Sequence, residues 1–118
     1  MLNQQSYNPF IAVIIPITVG QECNLPKILH GLTMQSHQPD LIVISLDRVE
    51  NIYQDTEKVK YLISEVPTYC NRPYNMFAGA TRNTAISYVL KNYYYDIVIM
   101  IDGDCIPQPD LIQSHLNA

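Results

Sequence analysis

Near the C-terminal end of the chain, Ile97-Val98-Ile99-Met100-Ile101 runs without interruption into Asp102-Gly103-Asp104. An apolar run of this length, mostly β-branched and stopped by polar residues, reads as a strand buried on both faces. Such a strand belongs in a parallel sheet covered on each side. It ends by handing Asp102 and Asp104 to its carboxyl edge, the edge at which open α/β sheets bind ligands.

The same signature occurs twice more. Ile11-Ala12-Val13-Ile14-Ile15 reads as a first strand whose ladder Pro16 ends, because proline has no N–H to give. Ile17 to Gly20 form the loop that follows. Leu41 to Leu46 read as a second strand, ending in Asp47-Arg48. Between these two, Asn24 is placed to cap a helix with Pro26 in its first turn. Leu25, Ile28, Leu29 and Leu32 then recur at the spacing of one helical face, and the helix fades near Gln35.

Residues 48 to 55 read as a loop. Asp55 or Thr56 is expected to cap a second helix with the stripe Val59, Leu62, Ile63 and Val66, stopped by Pro67. Thr68-Tyr69-Cys70 is expected as a short third strand, followed by a polar segment. A third helix is expected to start between Met76 and Thr81 and reach Lys91, with Ala85, Ile86, Val89 and Leu90 buried. Tyr93, Tyr94 and Tyr95 read as a packed, partly exposed turn. After Asp104, Pro107 and Pro109 set up a last short helix with Leu111, Ile112 and His115 or Leu116 inward.

Strands alternating with helices predict an α/β fold: a Rossmann-like parallel sheet of about four strands with helices on both faces. Right-handed crossovers favour the strand order 3-2-1-4. The order reverses between the first strand and the 97–101 strand, so Thr18 and its loop should face Asp102 and Asp104, with Asp47 one strand further out.

Composition narrows the function. At 118 residues, with 47% hydrophobic and 15% charged residues, the chain has the makings of one globular domain, residues 1–118, with its own core. A net charge of −4 gives no reason to expect nucleic acid as a partner, and an anionic ligand would need an added cation. Cys23, Cys70 and Cys105 are odd in number and lack zinc spacing, which predicts reduced thiols and a cytoplasmic location. Ile11 to Ile15 is too short for a transmembrane segment, and Met1 to Phe10 hold no Lys or Arg, so no signal peptide is expected.

Asp102 and Asp104 are separated only by Gly103, whose backbone freedom lets both carboxylates converge. Converging carboxylates repel unless a proton or cation lies between them, and oxygen ligands alone select Mg²⁺ or Mn²⁺. Asp-Gly is also an ordinary turn dipeptide, and it is the position after a buried strand that favours the metal reading. Asp47 is either a binding residue or a solvated turn carboxylate. Arg82 is either a partner for phosphate or carboxylate, or a surface arginine. Cys105 reads as a small core residue, and His30, His37 and His115 have no partner at ligand spacing.

Taken together, Ile11 to Thr18, Leu41 to Asp47, Gly79-Ala80-Thr81-Arg82-Asn83 and Ile99 to Asp104 resemble the family 2 glycosyltransferases of the GT-A fold. The resemblance covers nearly the whole chain in order. It implies that Asp102 and Asp104 form the family's DxD motif, holding Mn²⁺ or Mg²⁺ and the diphosphate of a nucleotide-sugar donor, a UDP-sugar first among them. It further implies that Pro16 and Thr18 line the nucleotide pocket, that Asp47 contacts the base, and that Arg82 is the arginine of the family's Arg-Asn pair beside the nucleotide.

The chain departs from that pattern in having Ser45-Leu46-Asp47 where paired aspartates are usual. Only 14 residues follow Asp104, so the chain reads as the N-terminal, nucleotide-sugar-binding portion of a truncated GT-A domain. The acceptor-binding half and its catalytic base are not recognised in it. The expected activity is inverting transfer to the hydroxyl of an unknown acceptor, whether glycan, lipid or protein. The alternative is a non-catalytic nucleotide- or partner-binding module that keeps the fold. The sheet edge beside the last strand, uncovered in this chain, predicts homo-oligomers. A phosphatase-like aspartyl loop would need its motif after the first strand, and fits poorly.

Overall fold

The computed structural model describes residues 8–64 and 78–118. The elements are β1 (Ile11–Thr18), a 3₁₀ turn (Glu22–Asn24), α1 (Leu25–Thr33), β2 (Leu41–Asp47), β3 (Val59–Ile63), α2 (Ala78–Asn92), β4 (Ile97–Met100) and α3 (Leu111–Asn117). The four strands form one parallel sheet in the order β3-β2-β1-β4, as the alternation of elements predicted.

Alternate residues of β1 feed two cores. Ile11, Val13, Ile15 and Ile17 pack with Leu25, Ile28 and Leu32 of α1 and Ile112 of α3. Ala12 and Ile14 pack on the other face with Ala85 and Val89 of α2. Helices therefore cover both faces, and the continuous apolar run of β1 is explained by burial of every residue from Ile11 to Ile17. Each such isoleucine contributes about 1.5–3 kcal/mol through burial. No helix among the described residues is long and apolar enough to cross a membrane.

The first strand runs on past Pro16 to Thr18, contrary to the expectation that proline ends it. Parallel strands point the N–H and C=O of one residue to the same side. Ile14 accepts from Ile101 N–H on the β4 side, whereas Val19 N–H donates to Asp47 on the β2 side. Even-numbered residues therefore face β4, whose pairing stops at Ile14↔Met100, and Pro16 lacks an N–H where nothing asks for one.

The larger correction concerns residues 59–63, expected as part of a second helix. They form β3, the outer strand beside β2, in the register Ile42↔Val59 to Leu46↔Ile63. Val59 and Tyr61 pack toward one core and Leu62 toward the other, the alternation of a strand. The polar pair expected to cap a helix covers the sheet edge instead. Thr56 Oγ1 accepts Val59 N–H at 3.0 Å and Asp55 Oδ1 accepts Tyr61 N–H at 2.8 Å. The strand expected at Thr68–Cys70, and Val66 and Pro67, lie outside the described residues.

Smaller differences have local causes. As the other outer strand, β4 has Ile99 buried but Met100 56% exposed, so it is not buried on both faces. In α2 the line Thr81, Ala85, Val89 meets the sheet, which turns Leu90 outward at 56% exposure. In α3 it is Leu116, not His115, that packs inward. Tyr93 stacks on Phe10 while Tyr94 is exposed, in keeping with a packed turn.

Candidate functional site

The sheet order puts three strand ends beside one another. Thr18 and Asp47 are direct neighbours in the β1–β2 register, and the chain leaving β4 crosses the end of β1 on the other side. The N-terminal half of α2 closes the third side. Pro16, Thr18, Asp47, Arg82, Asp102 and Asp104, all selected from the sequence, line one cleft of about 370 Å³. Val19, Gln21, Thr81 and Gly103 complete it. A larger, more open depression of about 540 Å³ between β3 and α2 is lined, among the described residues, by no carboxylate. The smaller cleft is therefore the one with chemistry to offer.

At the β2 end, Asp47 is 1% exposed. Its carboxylate accepts Arg48 Nε at 2.8 Å and Arg48 Nη2 at 2.7 Å, and it accepts the Thr18 hydroxyl at 3.0 Å. Ionised carboxylates are acceptors only, so three donors suit one that is out of water. Arg48 reaches back to its neighbour with a φ of 56°, in the left-handed region that lets the chain reverse at the strand end. The Thr18 hydroxyl, its O–H directed to Asp47, lines the cleft with its oxygen left to accept.

At the β4 end, Asp102 and Asp104 are exposed on either side of buried Gly103. Arg82 Nη2 lies 3.1 Å from Asp102 Oδ1, an ion pair with both partners open to solvent. Asp102, Asp104 and Cys105 each offer one ligand atom, all within 4.8 Å of one another. Cys105 is thus on the surface and not a core residue, because the turn after β4 faces outward. Its thiol donates to Asp104 Oδ1, and that bond is the main cause of a pKa raised above the ordinary thiol value. Two exposed carboxylates on one turn suit a hard divalent cation with open positions.

Gly103 is packed so closely that any side chain there would force a neighbour to shift. A Cβ there would meet Gln21 Oε1 at 2.5 Å and the Pro16 carbonyl at 2.8 Å. The turn is thereby seated against the corner between β1 and α1. Gln21 Oε1 also accepts Thr18 N–H, and Asn24 Nδ2 donates to the Gly103 carbonyl at 2.8 Å. Asn24 was expected to cap α1, and it occupies that position without any side-chain capping bond.

The family model for glycosyl transferase family 2 matches residues 12–118. The chain belongs to that family. Comparison with curated proteins and with solved structures returned no match. The matched span of this family 2 glycosyltransferase chain begins in β1 and runs through α3, so it contains every residue of the cleft.

Sequence reasoning missed Gln21, Asn24, Arg48 and Thr81 as parts of the site. Gln21 and Asn24 stand in the loop that leaves β1, and a survey of polar residues at strand ends would have found them. Thr81 and Arg48 gave less signal. Thr81 is 2% exposed at the start of α2 and bonded to Ser64 Oγ, a contact that only the packing of α2 on the sheet creates.

Proposed function

We propose that the cleft binds a nucleotide-sugar, a UDP-sugar foremost, through Mn²⁺ or Mg²⁺ held by Asp102 and Asp104, for inverting sugar transfer to an acceptor hydroxyl. The observation that supports this reading is convergence. Residues from the ends of β1, β2 and β4 and from α2, far apart in sequence, line a single 370 Å³ cleft. That volume falls within the range of small-molecule sites.

The charges argue for the ion. A chain of net charge −4 that presents two exposed carboxylates repels a diphosphate unless a cation lies between them. When bound, a divalent ion offers ligand positions to the diphosphate and offsets the charge that grows on the leaving group. The chain's own side chains do the rest. Arg82 adds a guanidinium beside the same carboxylates, suited to phosphate oxygens. Thr18, fixed by Asp47, offers an acceptor for an N–H of the base or an O–H of the ribose. Pro16 walls the cleft with no N–H in need of a partner.

In inverting transfer a base takes the proton of the acceptor hydroxyl, whose oxygen bonds to the anomeric carbon as the bond to the diphosphate oxygen breaks. Among the described residues, the three carboxylates lining the cleft each have a partner: Asp47 with Thr18 and Arg48, Asp102 with Arg82, and Asp104 with the Cys105 thiol. That engagement favours a second reading, a binding module without turnover.

Titration calorimetry with UDP and GDP, each with and without Mn²⁺, tests the proposal. Metal-dependent binding that Asp104→Ala weakens at least tenfold is the expected result. No binding of either nucleotide with Mn²⁺ or Mg²⁺ would overturn it. Sugar transfer or donor hydrolysis lost in Asp104→Ala would exclude the second reading.

A further inference from the structure

We propose that Asn24 is a positioning residue for the Asp102–Gly103–Asp104 turn, holding the two carboxylates in the arrangement that binds a divalent cation. The inference rests on the metal-site reading above and adds a residue to it.

Asn24 occupies the N-cap position of α1, where an asparagine side chain ordinarily accepts a helix N–H. It makes no such bond. Its dihedrals, φ −82° and ψ −19°, are helical, unlike the extended backbone of a capping residue. Its amide instead crosses to a residue 79 positions away and donates to the Gly103 carbonyl at 2.8 Å. That carbonyl belongs to the peptide joining Gly103 to Asp104, so the bond fixes the plane from which Asp104 projects. Glycine is the residue with most backbone freedom to lose, and one donor here removes freedom at the point between two repelling carboxylates.

The turn is held from below as well. Gly103 lies on the Pro16 carbonyl and the Gln21 amide, and Gln21 is tied to Thr18 N–H. The corner that presents Thr18 to the cleft and the turn that presents Asp102 and Asp104 are therefore packed directly against each other. A separate clamp ties the other end of α1 to the same segment. Gln35, 5% exposed, accepts Ile112 N–H at 3.1 Å and donates to the Gly31 carbonyl at 3.2 Å. Gln35 lines no part of the cleft. It thus controls for general loosening of α1 against the chain that follows β4.

The test measures Mn²⁺ affinity of the 118-residue chain by electron paramagnetic resonance of the free ion, with UDP present, at a temperature where every variant is folded. Asn24→Ser keeps a residue suited to the start of a helix but is too short to reach Gly103. It should weaken Mn²⁺ binding about tenfold, the lower end of what loss of an outer-shell partner does to a metal site. Gln35→Ala should lower the melting temperature and leave Mn²⁺ affinity unchanged. Asn24→Asp keeps the shape, cannot donate, and adds a charge that by itself attracts cations. Weaker binding in that variant would support the proposal even if Asn24→Ser failed to fold. Wild-type affinity in Asn24→Ser, or an equal loss in Gln35→Ala, would overturn it. A wild-type chain that binds no Mn²⁺ at all would instead overturn the metal-site reading, so the two failures are distinct.

Discussion

Thr18 and Asp47 stand opposite each other where β1 and β2 end, and the Thr18 hydroxyl donates to the Asp47 carboxylate across 3.0 Å. Because Asp47 is 1% exposed, water cannot replace that donor without opening the strand ends. Thr18→Val keeps the shape and removes the donor. A hydrogen bond to a charged group is worth about 1.5–3 kcal/mol, so urea denaturation should show a loss in that range. An unchanged midpoint would mean that the Arg48 pair alone satisfies the carboxylate.

Gly103 gives a sharper steric test. An alanine Cβ would lie 2.5 Å from Gln21 Oε1 and 2.8 Å from the Pro16 carbonyl. The first contact can be relieved by a side chain, but the second is main chain in the central strand. Gly103→Ala should therefore destabilise the fold by about 1–3 kcal/mol, as overpacking does. Adding Gln21→Ala should recover only part of that loss, measured by denaturant midpoint. Full recovery would show that the Pro16 contact is not a constraint.

How far these features could be read from the sequence differs between elements. The strands beginning at Ile11 and Leu41 were legible because every position in those runs is buried, and an uninterrupted apolar run carries that information directly. The convergence of Thr18, Asp47, Asp102 and Asp104 followed from strand order alone, whereas Arg82, on a helix, was placed beside them by the family resemblance. Residues 59–63 were misread because Val59, Leu62 and Ile63 fit a helical stripe as well as Val59 and Tyr61 fit an alternating strand. Five residues cannot decide between the two periods, and Asp55 and Thr56 suit a helix cap and a strand edge equally well. Asn24 takes the N-cap position expected of it, but the partner of its side chain could not be read. Local pattern assigns it to its own helix, whereas its partner, Gly103, is a tertiary neighbour that no local pattern contains.

The corrected assignment of β3 has its own consequence. In an outer parallel strand, alternate N–H groups face away from the sheet, and Asp55 accepts the one on Tyr61 at 2.8 Å. Asp55→Ala should speed exchange of the Tyr61 amide while leaving that of Ser64, which donates to the Leu46 carbonyl at 2.8 Å, protected. Exchange followed by nuclear magnetic resonance reads both. Uniform protection across residues 59–63 that ignores Asp55→Ala would indicate a helix.

Arg82 and Asp102 separate stability from binding. Their 3.1 Å ion pair joins side chains that are 37% and 57% exposed, so solvent screens it and its coupling to stability should stay below about 1 kcal/mol. Its contribution to ligand binding should be larger, because a diphosphate brings negative charge to the same guanidinium. Arg82→Ala is therefore expected to leave the melting temperature within about a degree or two, given a stability change of a few tenths of a kcal/mol. In the presence of Mn²⁺ it should weaken UDP binding about tenfold, equivalent to one charge-assisted hydrogen bond near 1.4 kcal/mol. Arg82→Lys keeps the charge but not the fork, and should recover part of the affinity. If Arg82→Ala lowers stability by several kcal/mol while Mn²⁺-dependent UDP binding is unchanged, Arg82 holds the turn and does not meet the diphosphate.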